Sequence, residues 1–181
     1  MTDFRLTARV CAALFFTFAV AASKPSAADD HGGKPQAFEY AVASDMASQA
    51  LLLDVARAGS RMVAVGEFGH VLLSDDNGES WQQAASVPTR STLVGVTFVD
   101  NQTGYAVGHE ATILKTIDGG DNWTLQYNER RGETPLFAVY FADAQNGIAV
   151  GGFSYTFETN NGGESWTQRS LVEDSYDDFH L

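Results

Sequence analysis

One eight-residue pattern recurs three times in this chain, and its spacing constrains the fold more than any other feature. "SDDNGESW" (Ser74 to Trp81), "TIDGGDNW" (Thr116 to Trp123) and "TNNGGESW" (Thr159 to Trp166) each run from a hydroxyl through a Gly-containing polar turn to a tryptophan. Trp81, Trp123 and Trp166 are the only tryptophans, and they stand 42 and 43 residues apart. A period in that range means stacked supersecondary units, each unable to bury its apolar face alone.

The register extends well beyond the pattern. Fifteen residues before each tryptophan a glycine closes an Ala-Val-Gly triplet, at Gly66, Gly108 and Gly151. Earlier still stand the apolar runs "LLLDVA", "LVGVTFVD" and "LFAVYFAD". In the second unit, β-type runs at Leu93–Phe98, Gly104–Gly108, Thr112–Thr116 and Trp123–Tyr127 are separated by Asn-Gln-Thr-Gly and Asp-Gly-Gly-Asp. Valine, isoleucine, threonine and aromatics fill the runs, and turn residues break them. Four short strands per 42–43 residues is the arithmetic of a β-propeller blade, so the chain is expected to be all-β.

Within such a blade the polar pattern falls in the hairpin between the third and fourth strands. Asp76 and Asp118 can accept hydrogen bonds from backbone N–H groups of the turn, and Asn161 keeps the acceptor without the charge. Gly78, Gly120 and Gly163 can take a positive φ. Ser74, Thr116 and Thr159 supply the hydroxyls, and Trp81, Trp123 and Trp166 are expected to start the fourth strand and pack between blades.

Ser/Thr-x-Asp-x-Gly-x-x-Trp is the Asp-box, or BNR repeat. With the Ala-Val-Gly strand, "VAVGEFGHVLLSDDNGESW" and "VGVTFVDNQTGYAVGHEATILKTIDGGDNW" resemble the photosystem II assembly factor family over about residues 51–181. The resemblance implies a seven-bladed, non-enzymatic assembly factor without cofactors, binding protein partners of a membrane complex. Three units, at about 51–91, 92–134 and 135–181, cannot close a ring, because closed propellers have about 4–8 blades. A partial propeller is therefore expected. Family members also carry an arginine-rich patch. Here only Arg90, Arg130 and Arg131 can contribute to one.

The first 28 residues stand apart. Arg5 and Arg9 precede an apolar run over Val10–Ala22, and small residues follow. That order reads as a secretory signal peptide cut after Ala28. Residues 29–50 are read as a linker and N-terminal segment. Cys11 lies ahead of the apolar core, so it is not read as a lipid acceptor. Export places the chain in the periplasm or outside the cell, or in the thylakoid lumen of a photosynthetic source. Arg5, Arg9 and Lys24 against Asp3 give residues 1–28 a net of +2, so their removal takes the full chain's −12 to −14. Such charge argues against nucleic acid as a partner.

"DDNG" is no calcium loop of the EF-hand kind, which needs twelve residues, a terminal bidentate Glu and flanking helices. His31, His70, His109 and His180 show no zinc-binding spacing. A sialidase-like or other Asp-box glycoside hydrolase is the rival function. The sialidase form would want converging arginines, and those here occupy unequal repeat positions; no small-molecule substrate is evident.

Blade topology supplies a better guide to the site. With strands A to D, the A–B and C–D turns share one end and the B–C and D–A connections the other. The C–D turns, which hold the boxes, look alike; the opposite end varies, and loops that vary on a repeated scaffold carry function. The candidate partner-binding residues are therefore Glu67, His109 and Glu110 in B–C turns, and Arg90, Arg130 and Arg131 in D–A loops.

Overall fold

The computed structural model describes residues 39–129 and 134–170, and all of them belong to one unit. The proposed signal peptide, residues 29–38, Arg130, Arg131 and the stretch after Ser170 lie outside the described residues.

Three four-stranded antiparallel sheets form in chain order. The first holds β1 (Leu52–Ala58), β2 (Arg61–Gly66), β3 (Val71–Ser74) and the two-residue β4 (Gln82–Gln83). The second holds β5 (Leu93–Phe98), β6 (Gly104–Gly108), β7 (Ile113–Thr116) and β8 (Trp123–Tyr127). The third holds β9 (Leu136–Phe141), β10 (Gly147–Gly151), β11 (Tyr155–Thr159) and β12 (Thr167–Ser170). Strand order within each sheet follows the chain, as in a propeller blade, and the first strands β1, β5 and β9 neighbour one another across the blades. The β-propeller reading holds.

Stacking explains why the middle strands lack polar alternation. In β6 every residue of Gly-Tyr-Ala-Val-Gly is buried, because a blade lies against each of its faces. A strand covered on both faces reads as a continuous apolar run. The Ala-Val-Gly glycines have a separate cause. A Cβ on Gly66, Gly108 or Gly151 would run into the carbonyl of Leu51, Thr92 or Pro135 respectively. Those same carbonyls accept the backbone N–H of Glu67, His109 and Gly152, so each triplet ends where the entry to the first strand is bonded across.

Two apolar clusters lie between blades. Val63, Val65, Val71 and Leu73 of the first blade meet Val96, Ala106, Leu114 and Trp123 of the second. Tyr105, Val107 and Ile113 of the second meet Val139, Phe141, Ala149, Phe157 and Trp166 of the third. The expectation for Trp81 needs correcting. It packs with Ala64, Leu72 and Ala47, on the face of the first blade that no other described blade covers. Each tryptophan belongs to the blade face turned toward the preceding blade. For Trp81 that place is taken by the 3-10 turn Ala47–Gln49, tied to β4 through Gln83 and the Ser44 N–H and Val42 carbonyl. Strand four begins at the tryptophan only in the second blade; in the others it begins one residue later.

Candidate functional site

The three boxes share one hydrogen-bond scheme. Ser74 Oγ accepts the Gly78 N–H at 2.7 Å and donates to Asp76 Oδ1 at 2.8 Å. Asp76 in turn accepts the Ser80 N–H at 2.9 Å and the Ser80 hydroxyl. In the second box Thr116 links Gly120 and Asp118 at 3.0 and 2.8 Å, and Asp118 accepts both the backbone and side-chain N–H of Asn122 at 2.9 Å. In the third, Thr159 links Gly163 and Asn161, each at 2.9 Å. Asn161 accepts the Ser165 N–H at 3.0 Å but must donate its amide to the Ser165 hydroxyl. Gly78, Gly120 and Gly163 have φ of 91°, 97° and 80°, the left-handed region that favours glycine. Trp81 and Trp123 donate Nε1–H to the carbonyls of Gly78 and Gly120.

Hydrogen bonds to the ionised form explain the box carboxylates. The Ser80 hydroxyl, then the Ser80 N–H and the Ser74 hydroxyl, lower the Asp76 pKa to about 2. Burial is the largest single influence on Asp118 and pushes it up, yet the bonds from Asn122 and Thr116 together bring it below the usual carboxylate value. These groups are tied to their own turns, which is structural work. Among the described residues, no three His, Cys, Asp or Glu side chains come together as a metal cluster.

The B–C end gathers what the boxes leave out. Glu67 accepts the Leu51 N–H at 2.9 Å, and Glu110 accepts the Ser91 hydroxyl at 2.7 Å, a bond that reaches from the second blade to the loop after the first. Arg90 stands 3.8 Å from Glu39, and His109 is exposed. Arg90, Glu67, His109 and Glu110 therefore lie at one end of the stack, and Arg130 and Arg131 lie outside the described residues.

Two features were missed in the sequence. The first is a set of clamps between blades. Arg61 donates to Asp75 in its own blade at 2.8 Å and to Asp121 in the next at 3.0 Å. Its guanidinium pKa is pushed further above its already high ordinary value, chiefly by the bond to Asp75. Tyr105 and Lys115 both donate to the Gly162 carbonyl of the third blade, at 2.7 and 2.6 Å. The second feature is the exposure of Phe68 and Phe153, 54% and 84%, at B–C turns whose place in the repeat the sequence does show.

A family model described as "Photosynthesis system II assembly factor YCF48" matches residues 83–137, from β4 to the start of β9. A photosystem II assembly lipoprotein Ycf48 from Trichormus variabilis is 49% identical over 39 residues, 21% of this chain and 12% of the relative. The photosystem II assembly protein Ycf48 of Thermosynechococcus vestitus is 39% identical over 41 residues, 23% of this chain and 12% of the relative. Over residues 83–137 this chain resembles photosystem II assembly factors. Two solved structures agree at the level of fold. A YCF48 bound to D1 peptide superposes with a TM-score of 0.58 at 20% identity, covering 69% of this chain and 40% of that one. YCF48 from Cyanidioschyzon merolae gives 0.55 at 23% identity, over 66% of this chain and 37% of that one. An ancestral GH74 enzyme also superposes, with a TM-score of 0.54 at 18% identity over 66% of this chain and 18% of its own. The match thus covers 12% of these two relatives and 40% or less of these three structures.

Proposed function

We propose that this chain is an exported, non-enzymatic propeller scaffold that binds protein subunits of a membrane complex during assembly. The observation that carries the reading is the pairing of an Asp-box repeat of assembly-factor type with boxes whose polar groups are spent on their own turns. The B–C end, with Glu67, Arg90, His109 and Glu110 and the D–A loop bearing Arg130 and Arg131, is then the surface that meets the partner. A YCF48 neighbour was solved with a D1 peptide bound, which makes a protein segment the fitting class of ligand. The apolar run Val10–Ala22 behind Arg5 and Arg9 supports export, and two Ycf48 relatives are named as lipoproteins. Cys11 stands at the start of that run and not after it, so it is not placed as a lipid acceptor would be.

The glycoside hydrolase reading rests on the GH74 superposition, a likeness of fold. Hydrolysis of that kind uses two carboxyl groups about 5–9.5 Å apart. A cavity of about 450 Å³ on the third blade is lined by one carboxylate, Glu158, which pairs with Arg169 at 2.9 Å, and one of about 330 Å³ at the first box is lined by Asp75 and Asp76, which are held by Arg61 and Ser80. The test is crosslinking of the full chain in the exporting cell, beside a glycan-hydrolysis screen. Subunits of one membrane complex should be captured, and no glycan should turn over. Turnover abolished by a single Asp or Glu substitution would overturn the scaffold reading.

A further inference from the structure

All three B–C turns are built alike and are held in an unfavourable backbone conformation. Each closes with a bond from the fourth residue's N–H to the first residue's carbonyl: His70 to Glu67, Thr112 to His109, and Tyr155 to Gly152. Both central residues are left-handed in every turn. Their φ values are 58° and 71° at Phe68-Gly69, 57° and 48° at Glu110-Ala111, and 57° and 63° at Phe153-Ser154. This is the type I′ hairpin turn, whose first central position favours Asn, Asp or Gly. Phenylalanine and glutamate are poor choices for it; Glu110 recovers one bond, from the Ser91 hydroxyl, but the two phenylalanines give folding little in return. Phe153 is almost wholly exposed, and the Phe68 ring meets the His70 ring only edge-on at 6.0 Å. Backbone strain kept without a packing benefit points to a task outside the fold.

We propose that Phe68, Glu110 and Phe153, the first central residues of three successive turns, form one docking surface for a protein segment that combines apolar and lysine or arginine side chains. The blade order sets the carboxylate of Glu110 between two aromatic tips. The Ser91 hydroxyl holds its Oε2, and among the described residues nothing bonds its Oε1. Among the described residues, this end also carries Glu39, Glu67 and Glu129 against Arg90, whose guanidinium already faces Glu39, so with Glu110 its carboxylates outnumber the arginines even when Arg130 and Arg131 are counted with Arg90. Charge complementarity therefore selects a cationic partner, and the same charge disfavours an anionic lipid surface. Exposed aromatics that become buried supply the anchoring contacts of such interfaces. The inference rests on the protein-binding reading above and names the side chains through which it works.

The test uses the full chain and short labelled peptides at about 0.15 M salt, where distant surface charges are screened. An alternating Leu/Lys peptide should bind more tightly than Leu/Glu and Ser/Lys counterparts. The double variant F68N/F153N, whose asparagines suit a type I′ turn, should weaken Leu/Lys binding about tenfold or more, the loss expected of truncated anchors. Its melting temperature should hold or rise, because strain is relieved. E110Q should weaken binding by a smaller factor and reduce its salt dependence. The proposal is overturned if the Leu/Lys peptide has no advantage, if F68N/F153N binds as the native chain does, or if that variant melts lower, since the rings would then support the fold. Phe-dependent sedimentation with phosphatidylcholine or phosphatidylglycerol vesicles, without peptide binding, would also overturn it by reassigning the tips to a membrane. If native and F68N/F153N chains crosslink the same membrane-complex subunits equally, only this proposal falls. If neither crosslinks any, the assembly role itself fails.

Discussion

The two interfaces between blades solve one packing problem with different chemistry. Between the first and second blades the contact is aliphatic, with Val63 and Leu73 against Trp123, which is 3% exposed. Between the second and third blades, Tyr105 and Lys115 occupy the register positions of Val63 and Leu73. Tyr105 stacks on Phe141 with centroids 3.8 Å apart, and Trp166 stands edge-on to both. The Tyr105 ring also crowds Gly163, and there, among the described residues, Trp166 Nε1 is buried with no partner, whereas Trp123 Nε1 bonds the Gly120 carbonyl at 2.9 Å. A repeat can thus exchange aliphatic for aromatic packing, provided the polar ends are caught again. Tyr105 and Lys115 do so by converging on the Gly162 carbonyl, as Arg61 does on Asp75 and Asp121.

The largest expected effect separates the two tryptophans. Trp123→Ala should destabilise by about 3–5 kcal/mol, the range for removing a buried large aromatic. Trp166→Ala should cost less, about 2 kcal/mol, because its ring is partly exposed and its N–H has no partner to lose among the described residues. Urea melts of the two variants check this. Equal losses would mean that the interfaces do not differ in the way their packing suggests.

The clamps should differ in kind more than in size. Arg61→Met, which keeps most of the stem, should cost about 1 kcal/mol, and the loss should shrink with added salt as an exposed ion-pair network does. Tyr105→Phe should also cost about 1 kcal/mol through one hydrogen bond, but with no salt dependence. Melts at low and high salt distinguish them. A salt-sensitive Tyr105→Phe would show that Lys115, also 5.7 Å from the Tyr105 centroid, is the real partner in that clamp.

These contrasts also mark what could be read without coordinates. The boxes, the Ala-Val-Gly strands and the blade count were legible because register repeats them, and second-unit strand bounds agree to within a residue. Arg61 was not legible, because its register equivalents are Thr103 and Asn146 and its partners lie 14 and 60 residues away. The strained turns escaped for a related reason. Left-handed pairs announce themselves through Asn-Gly or Gly-Gly, and Phe-Gly, Glu-Ala and Phe-Ser do not read that way. Trp81 was misplaced because repetition says which face a side chain takes, not what covers it.

The smallest expected effect lies within the boxes themselves. Asp76 and Asp118 titrate below their ordinary value of 3.8 in the folded chain, Asp76 at about 2. A carboxylate with a lowered folded pKa lends stability that is complete above its unfolded value and lost as pH falls toward the folded one. The first turn should therefore loosen between about pH 4 and pH 2, and the second as pH falls below about 4. The third should not, because Asn161 has no proton to gain. A global melt would blur this, since Asp100 and Asp143, in turns of the second and third blades, are lowered as well. Amide exchange resolves it: protection of the Ser80 and Asn122 N–H groups should fall over that window relative to Ser165, whose N–H faces the Asn161 carbonyl at 3.0 Å. Asn161→Asp should give Ser165 the same acid sensitivity. The turn would then present a carboxylate that accepts the Ser165 hydroxyl, as Asp76 accepts that of Ser80. A Ser165 amide still indifferent to acid in that variant would show that the box carboxylates contribute through shape, not charge.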